Sequence, residues 1–172
     1  MEKQVYIEAY TSGWAQQFHE ERELLQKIVG DKAIAIEHIG STSIEGLGAK
    51  PIIDIAMGVN ALEDVLEFIE PLQKIGYEFV SHKDFSERRF FRKGMWRAGT
   101  HHLHVNKFGE EHWNHQLLFR DYLRNHPDAL MEYYQLKQDL ARKFCFDRAS
   151  YTANKGPFIQ RIIQKAKEEG QV

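Results

Sequence analysis

One cysteine in 172 residues, Cys145, has no partner for an intrachain disulfide and excludes a zinc site built from thiolates. Such scarcity suits a reducing compartment, so a cytoplasmic location is expected. No apolar run approaches the roughly 20 residues needed to cross a bilayer. The opening MEKQVYIEAY lacks the basic-then-apolar pattern of a secretion signal, and no membrane role is expected. A surplus of charge is also missing. The formal net charge is −2, and nucleic acid is not expected as a partner. The charge is spread unevenly, however: between Lys83 and Lys107, seven Lys and Arg stand against only Asp84 and Glu87. An anionic small molecule is expected there.

What is present is ordinary for a globular chain: 42% hydrophobic, 12% aromatic and 28% charged residues, which excludes disorder and fibrous repeats. The length fits one domain, 1–172, with a sheet core over about 30–108 and a helical extension over about 110–170. Trp14, Phe18, Leu25 and Ile28 recur at helical spacing, predicting a helix over 12–29 that ends at Gly30 and turns Glu20, Glu21 and Glu23 outward. AIAIEHI (33–39) reads as a buried strand breaking at Gly40, and IIDIAMGV (52–59) as a second. Asn60 is placed to cap a helix carrying Leu62, Val65, Leu66, Ile69 and Leu72, with Pro71 a point of kinking or splitting. Strands are predicted at 77–82, 88–93 and 100–106, and helices beyond 110, with Pro157 suited to the first turn of the last. This order gives an α+β (α/β-like) fold, a mixed sheet flanked by helices with a helical tail.

Three features carry chemistry. Gly40-Ser41-Thr42 follows a strand, where unpaired backbone N–H groups and hydroxyls can receive a phosphate, although such turns are common and the spacing is not that of a Walker loop. Asp54 lies in an apolar strand and needs a partner: a metal, backbone N–H groups, Lys50 or an arginine. In THHLHVN (100–106), His102 and His104 alternate with Leu103 and project from one face, a spacing suited to one metal or anion, while His101 points away. In ERRFFRKG (87–94), Arg88, Phe90 and Arg92 share a face; the arginines could clamp phosphate or serve a charged, solvated edge strand. Two further motifs read as structural. His126-Pro127-Asp128 suits a helix start, and His112 and His115 flank Trp113 on a packing helix.

HIGSTSIEGLGAKPIIDI, RRFFRK, HHLHV, LLFRDYLRNHP, YYQLKQDLA and YTANKGPFI together resemble the GrpB family of bacterial uncharacterised proteins, over nearly the whole chain. That resemblance implies a nucleotidyltransferase-like fold, in which Gly40 and Ser41 match the phosphate turn and Asp54 the first metal carboxylate. The position of the second carboxylate is Ala56. With the residue reading above, Gly40, Ser41, Thr42, Lys50, Arg88 and Arg92 are the expected phosphate- and nucleotide-binding residues, Gly40 and Ser41 through the resemblance and the others through their hydroxyl or positive charge. It leaves two functions open: metal-dependent nucleotidyl or phosphoryl transfer with Asp54 catalytic, or a binding module linked to CoA biosynthesis, since such modules also occur fused to dephospho-CoA kinase. Asp54, His102 and His104 are the expected ligands of a divalent ion, Mg, Mn or Zn.

Overall fold

The computed structural model describes residues 3–81, 83, 86–95 and 98–170. Helix α1 (Gly13–Val29) buries Trp14, Phe18, Glu21, Leu25 and Val29 along one stripe. Glu21 corrects the sequence reading: it faces inward, at 4% exposure, because the Lys93 ammonium (2.9 Å) and the Tyr77 hydroxyl (2.8 Å) satisfy its carboxylate. The chain then forms β1 (Ala33–Ile39), a 3-10 turn at Ser41–Ser43 and β2 (Ile53–Val59). The connector at 44–51 contains no α-helix.

The helix predicted after Asn60 is two pieces, a 3-10 segment at Leu62–Glu67 and α2 (Ile69–Lys74). Ala61, not Asn60, precedes the first, and Leu66 is exposed. The division falls at Phe68. Pro71 lies in the first turn of α2, where its missing N–H would have had no intrahelical partner. Strands β3 (Tyr77–Val80), β4 (Arg88–Met95) and β5 (Ala98–Lys107) follow. His82, at the end of the predicted third strand, lies outside the described residues, as do Asp84 and Arg97 of the basic segment.

Among the described residues the five strands form one sheet ordered β1-β2-β5-β4-β3. The β2–β5 pair is parallel and the other pairs antiparallel. β4 is therefore interior, and the edge-strand reading of its arginines fails. On one face Ile53, Ile55, Met57, Val59, Leu103 and Val105 are all at 0% exposure beneath α1 and the 62–74 segment. Each such side chain gains roughly 1.5–3 kcal/mol from burial. A one-residue slip of β2 would turn four of them out of this core onto the opposite face, so the register, and with it the face that carries Asp54, is fixed.

Helices α3 (Glu111–Asn125), α4 (Pro127–Lys143) and α5 (Arg148–Glu168) pack on one another and on Ile44 and Leu47 of the connector. Pro127 opens α4 as expected. Pro157 does not open the last helix. α5 begins a full nine residues earlier because the Asp147 carboxylate caps it, accepting from Ser150 N at 3.0 Å. An interior proline costs about 3 kcal/mol or more, set against burial of Tyr151, Phe158, Ile162 and Ile163. No helix in the described residues is long and apolar enough to cross a membrane.

Candidate functional site

Parallel pairing of β2 with β5 sets Asp54 directly opposite His102 and Ala56 opposite His104. Partners in register share a sheet face, so both imidazoles stand beside the carboxylate. His102 Nδ1 lies 3.4 Å and His104 Nε2 3.5 Å from Asp54 Oδ1. Phe90, opposite His104 on β4, sits against both rings with centroids 5.2 Å away. Burial pushes the Asp54 carboxyl up, but hydrogen bonds from His102 and His104, with their charge, hold it well below the usual carboxylate range. The three side chains offer ligand atoms that all lie within 4.8 Å of one another.

The turn at 40–43 closes over this carboxylate. Gly40 has φ 71° and ψ −176°, and a Cβ there would lie 2.6 Å from Asp54 Oδ2, so no other residue fits. Thr42 Oγ1 donates to Ile52 O at 3.2 Å and accepts from His38 Nε2 at 3.0 Å. His38 itself stacks on Phe18 on the opposite sheet face, and burial, then the Arg124 charge, lowers it to about 4. Arg124 grips Ser43 O at 2.8 and 3.1 Å from α3. These contacts fix the turn from behind.

The other wall comes from the C-terminal helices. Arg148, Tyr151, Thr152 and Lys155 of α5, spaced three, four and seven residues from the first, line a cavity of about 420 Å³ together with Lys137 of α4. Ser41, Thr42, Lys50, Asp54, Arg92 and His102 also line it, with Ala49, Ile52 and Phe90. Lys137 is only 2% exposed and donates to Gly48 O at 2.6 Å. Burial, then Lys155 and Lys50, lowers its pKa to about 7. Lys50 drops to about 8 through burial, Arg148 and Lys155. Lys155 is lowered by burial while the Asp54 charge acts the other way. The ammonium groups of Lys50 and Lys155 each lie 4.7 Å from the Tyr151 ring centroid. Among the described residues, several cations thus crowd one cavity around a single carboxylate, a field that favours a polyanion.

The sequence-predicted residues are mostly brought together. Ser41, Thr42, Lys50, Asp54, Arg92 and His102 share the cavity, with His104 on Asp54 beneath it and Gly40 against the carboxylate. Arg92 also pairs with Glu78 at 3.0 Å. Arg88 is not among the residues lining the cavity; its guanidinium reaches His104 Nδ1 at 3.0 Å. Lys137, Arg148, Tyr151 and Lys155 were missed. For Lys137 and Lys155 the signal was a lysine on an apolar helical stripe, Tyr133-Lys137-Leu140 in α4 and Tyr151-Lys155-Phe158 in α5.

Ala56 fits no second ion. It is fully buried and packed with Ile39 and Trp113, under α3. Among the described residues, Asp54 therefore gains no second carboxylate from position 56, where two-ion sites hold their ions about 3.5–4 Å apart. Two imidazoles and one carboxylate with an open side do suit a single divalent ion, and imidazole donors suit zinc better than magnesium.

The GrpB protein family matches residues 4–165. This chain belongs to the GrpB family. Among its relatives, PA4798 of Pseudomonas aeruginosa is 40% identical over 89% of this chain, and YqkA of Bacillus subtilis 39% identical over 96%. The chain spans 64% and 48% of those two proteins' lengths. GrpB of Enterococcus faecalis, a crystal structure, superposes with a TM-score of 0.90 at 34% identity, covering 97% of this chain and 100% of that one. The Cid1 poly(U) polymerase with MgGTP bound superposes at TM-score 0.53 and 16% identity, covering 79% of this chain and 44% of Cid1. The chain therefore has a nucleotidyltransferase-like fold. A dephospho-CoA kinase of Mycobacterium tuberculosis is 28% identical over 90% of this chain, which spans 44% of it.

Proposed function

We propose that the chain binds a phosphate-bearing small molecule, a nucleotide foremost. Its phosphates would lie against Ser41, Thr42, Lys50, Lys137, Arg148 and Lys155, beside one divalent ion held by Asp54, His102 and His104. One observation carries the proposal: the buried Lys137 of α4, the half-buried Lys155 of α5 and the hydroxyl turn line the same cavity as Asp54 and His102. Burial, and after it repulsion from neighbouring cations, lowers Lys50 and Lys137, and an anion beside them offsets both costs. When bound, the ion would supply Lewis-acid polarisation of a phosphoryl oxygen. The lysines neutralise phosphate charge, and Gly40 keeps the turn close enough to orient it.

Packing of Ala56 under Trp113 favours binding, or one-ion chemistry, over two-ion nucleotidyl transfer. The likeness to dephospho-CoA kinase supports a second reading, a binding module that works beside such an enzyme. Isothermal titration with Zn²⁺ or Mn²⁺ and nucleoside triphosphates tests the first. Asp54→Asn is expected to abolish metal binding, and Lys137→Met with Lys155→Met to weaken triphosphate binding. Unchanged affinities in these variants would remove the proposal. Incubating the loaded protein with labelled nucleotide and finding no released pyrophosphate or phosphate would separate the binding module from a transferase.

A further inference from the structure

A second hollow, of about 470 Å³, adjoins the phosphate cavity and shares Lys50, Ile52 and Arg148 with it as a common wall. Its character differs. Tyr6, Pro51 and Ala98 give it an apolar part, with Lys3, Gln4 and Thr100 as further polar groups, and among the described residues no carboxylate lines it. Gly99, at its border, is close to the metal residues: a Cβ there would lie 3.8 Å from His102 Nε2. The border of the hollow therefore lies next to His102.

Its N-terminal wall is held in place before any ligand arrives. Val5 is 5% exposed, packs with Leu140 and Tyr151, and donates to Cys145 O at 2.7 Å. Glu8 and Ala49 exchange backbone hydrogen bonds at 2.8 and 2.9 Å. This tethering leaves Tyr6, next to the buried Val5, half exposed at 51%. A tyrosine ring on anchored backbone, lining a partly apolar hollow that Lys50 and Arg148 share with the phosphate cavity, is a surface on which a flat aromatic group can stack.

Resting on the phosphate reading above, we infer that the outer hollow is the subsite for the base of a nucleoside triphosphate. Lys50 and Arg148 would mark the junction between base and phosphates. The two volumes together suit a ligand larger than inorganic phosphate, and each alone lies within the range of small-molecule pockets. A phosphate-only ligand would leave the outer hollow without a role.

Titration calorimetry with ATP, GTP, CTP, UTP and inorganic tripolyphosphate, at one fixed Mn²⁺ concentration, tests this. At least one nucleotide is expected to bind more tightly than tripolyphosphate by about ten-fold or more, the scale of one base–aromatic stack. Tyr6→Ala, which removes the platform, and Ala98→Trp, which fills the hollow from an exposed position, are each expected to erase that surplus. Both should leave tripolyphosphate affinity as in the wild type. Equal affinity for all five ligands, or a surplus that survives both variants, overturns the base subsite while the phosphate site stands. If tripolyphosphate does not bind at all, and Lys137→Met changes nothing, the phosphate site itself fails and the subsite falls with it.

Discussion

A Cβ built on Gly40 would lie 2.6 Å from Asp54 Oδ2. The turn and the carboxylate are therefore one unit, since the backbone can pass over Asp54 only where there is no side chain. Gly40 also occupies a φ, ψ region that costs other residues about 1–3 kcal/mol. Gly40→Ala is expected to lose about that much stability in urea unfolding and to weaken Zn²⁺ binding by displacing Asp54. Wild-type zinc affinity in this variant would show that the turn does not position the carboxylate.

Ala56 marks where a second metal carboxylate would stand, but it is sealed against Ile39 and Trp113. Ala56→Asp is therefore expected to destabilise the fold by roughly 2–7 kcal/mol, the cost of an unpartnered buried polar group. It should not create two-ion activity. A melting temperature equal to wild type, with a second Mn²⁺ bound, would contradict the packing argument.

His38 sets a pH dependence. Its folded-state pKa is lowered to about 4, chiefly by burial, whereas the unfolded chain protonates near 6.5. Between these values the unfolded state binds the extra proton, so stability falls as pH drops through that window. Full expression of the shift amounts to about 3 kcal/mol. His38→Gln, which keeps a donor for Thr42, is expected to flatten the urea midpoint between pH 6.5 and 4. A slope as steep as in the wild type would assign the effect to other groups.

Phosphate binding should be linked to proton uptake. Free Lys137 and Lys50 sit at about 7 and about 8, and an anion raises both. Affinity for tripolyphosphate is thus expected to be greatest below pH 7 and to weaken as pH rises past 8. Calorimetry at pH 8 in buffers of different ionisation enthalpy should register net uptake. Zero uptake, or affinity that climbs with pH, would mean that these lysines do not face the ligand.

Much of this arrangement was legible without coordinates. Alternation in IIDIAMGV and HHLHV assigned Asp54, His102 and His104 to strand faces, and the family resemblance joined them to the Gly40 turn. Glu21 was misread because a carboxylate on a helix normally faces water, and its partners Tyr77 and Lys93 lie 56 and 72 residues away. The start of α5 was misread because Pro157 is a stronger local signal than the Asp147 cap.

By itself, the sequence determined the local periods: which residues face together on each strand and helix, and where glycine alone can turn the chain. These follow from backbone geometry and burial of apolar side chains. Only the tertiary structure decided that β5 lies parallel beside β2, that α3 covers Ala56 while leaving Asp54 open, and that α4 and α5 bring Lys137 and Lys155 to the same cavity. Contacts between residues some 50 to 100 positions apart depend on how whole elements pack, and no local pattern encodes that packing.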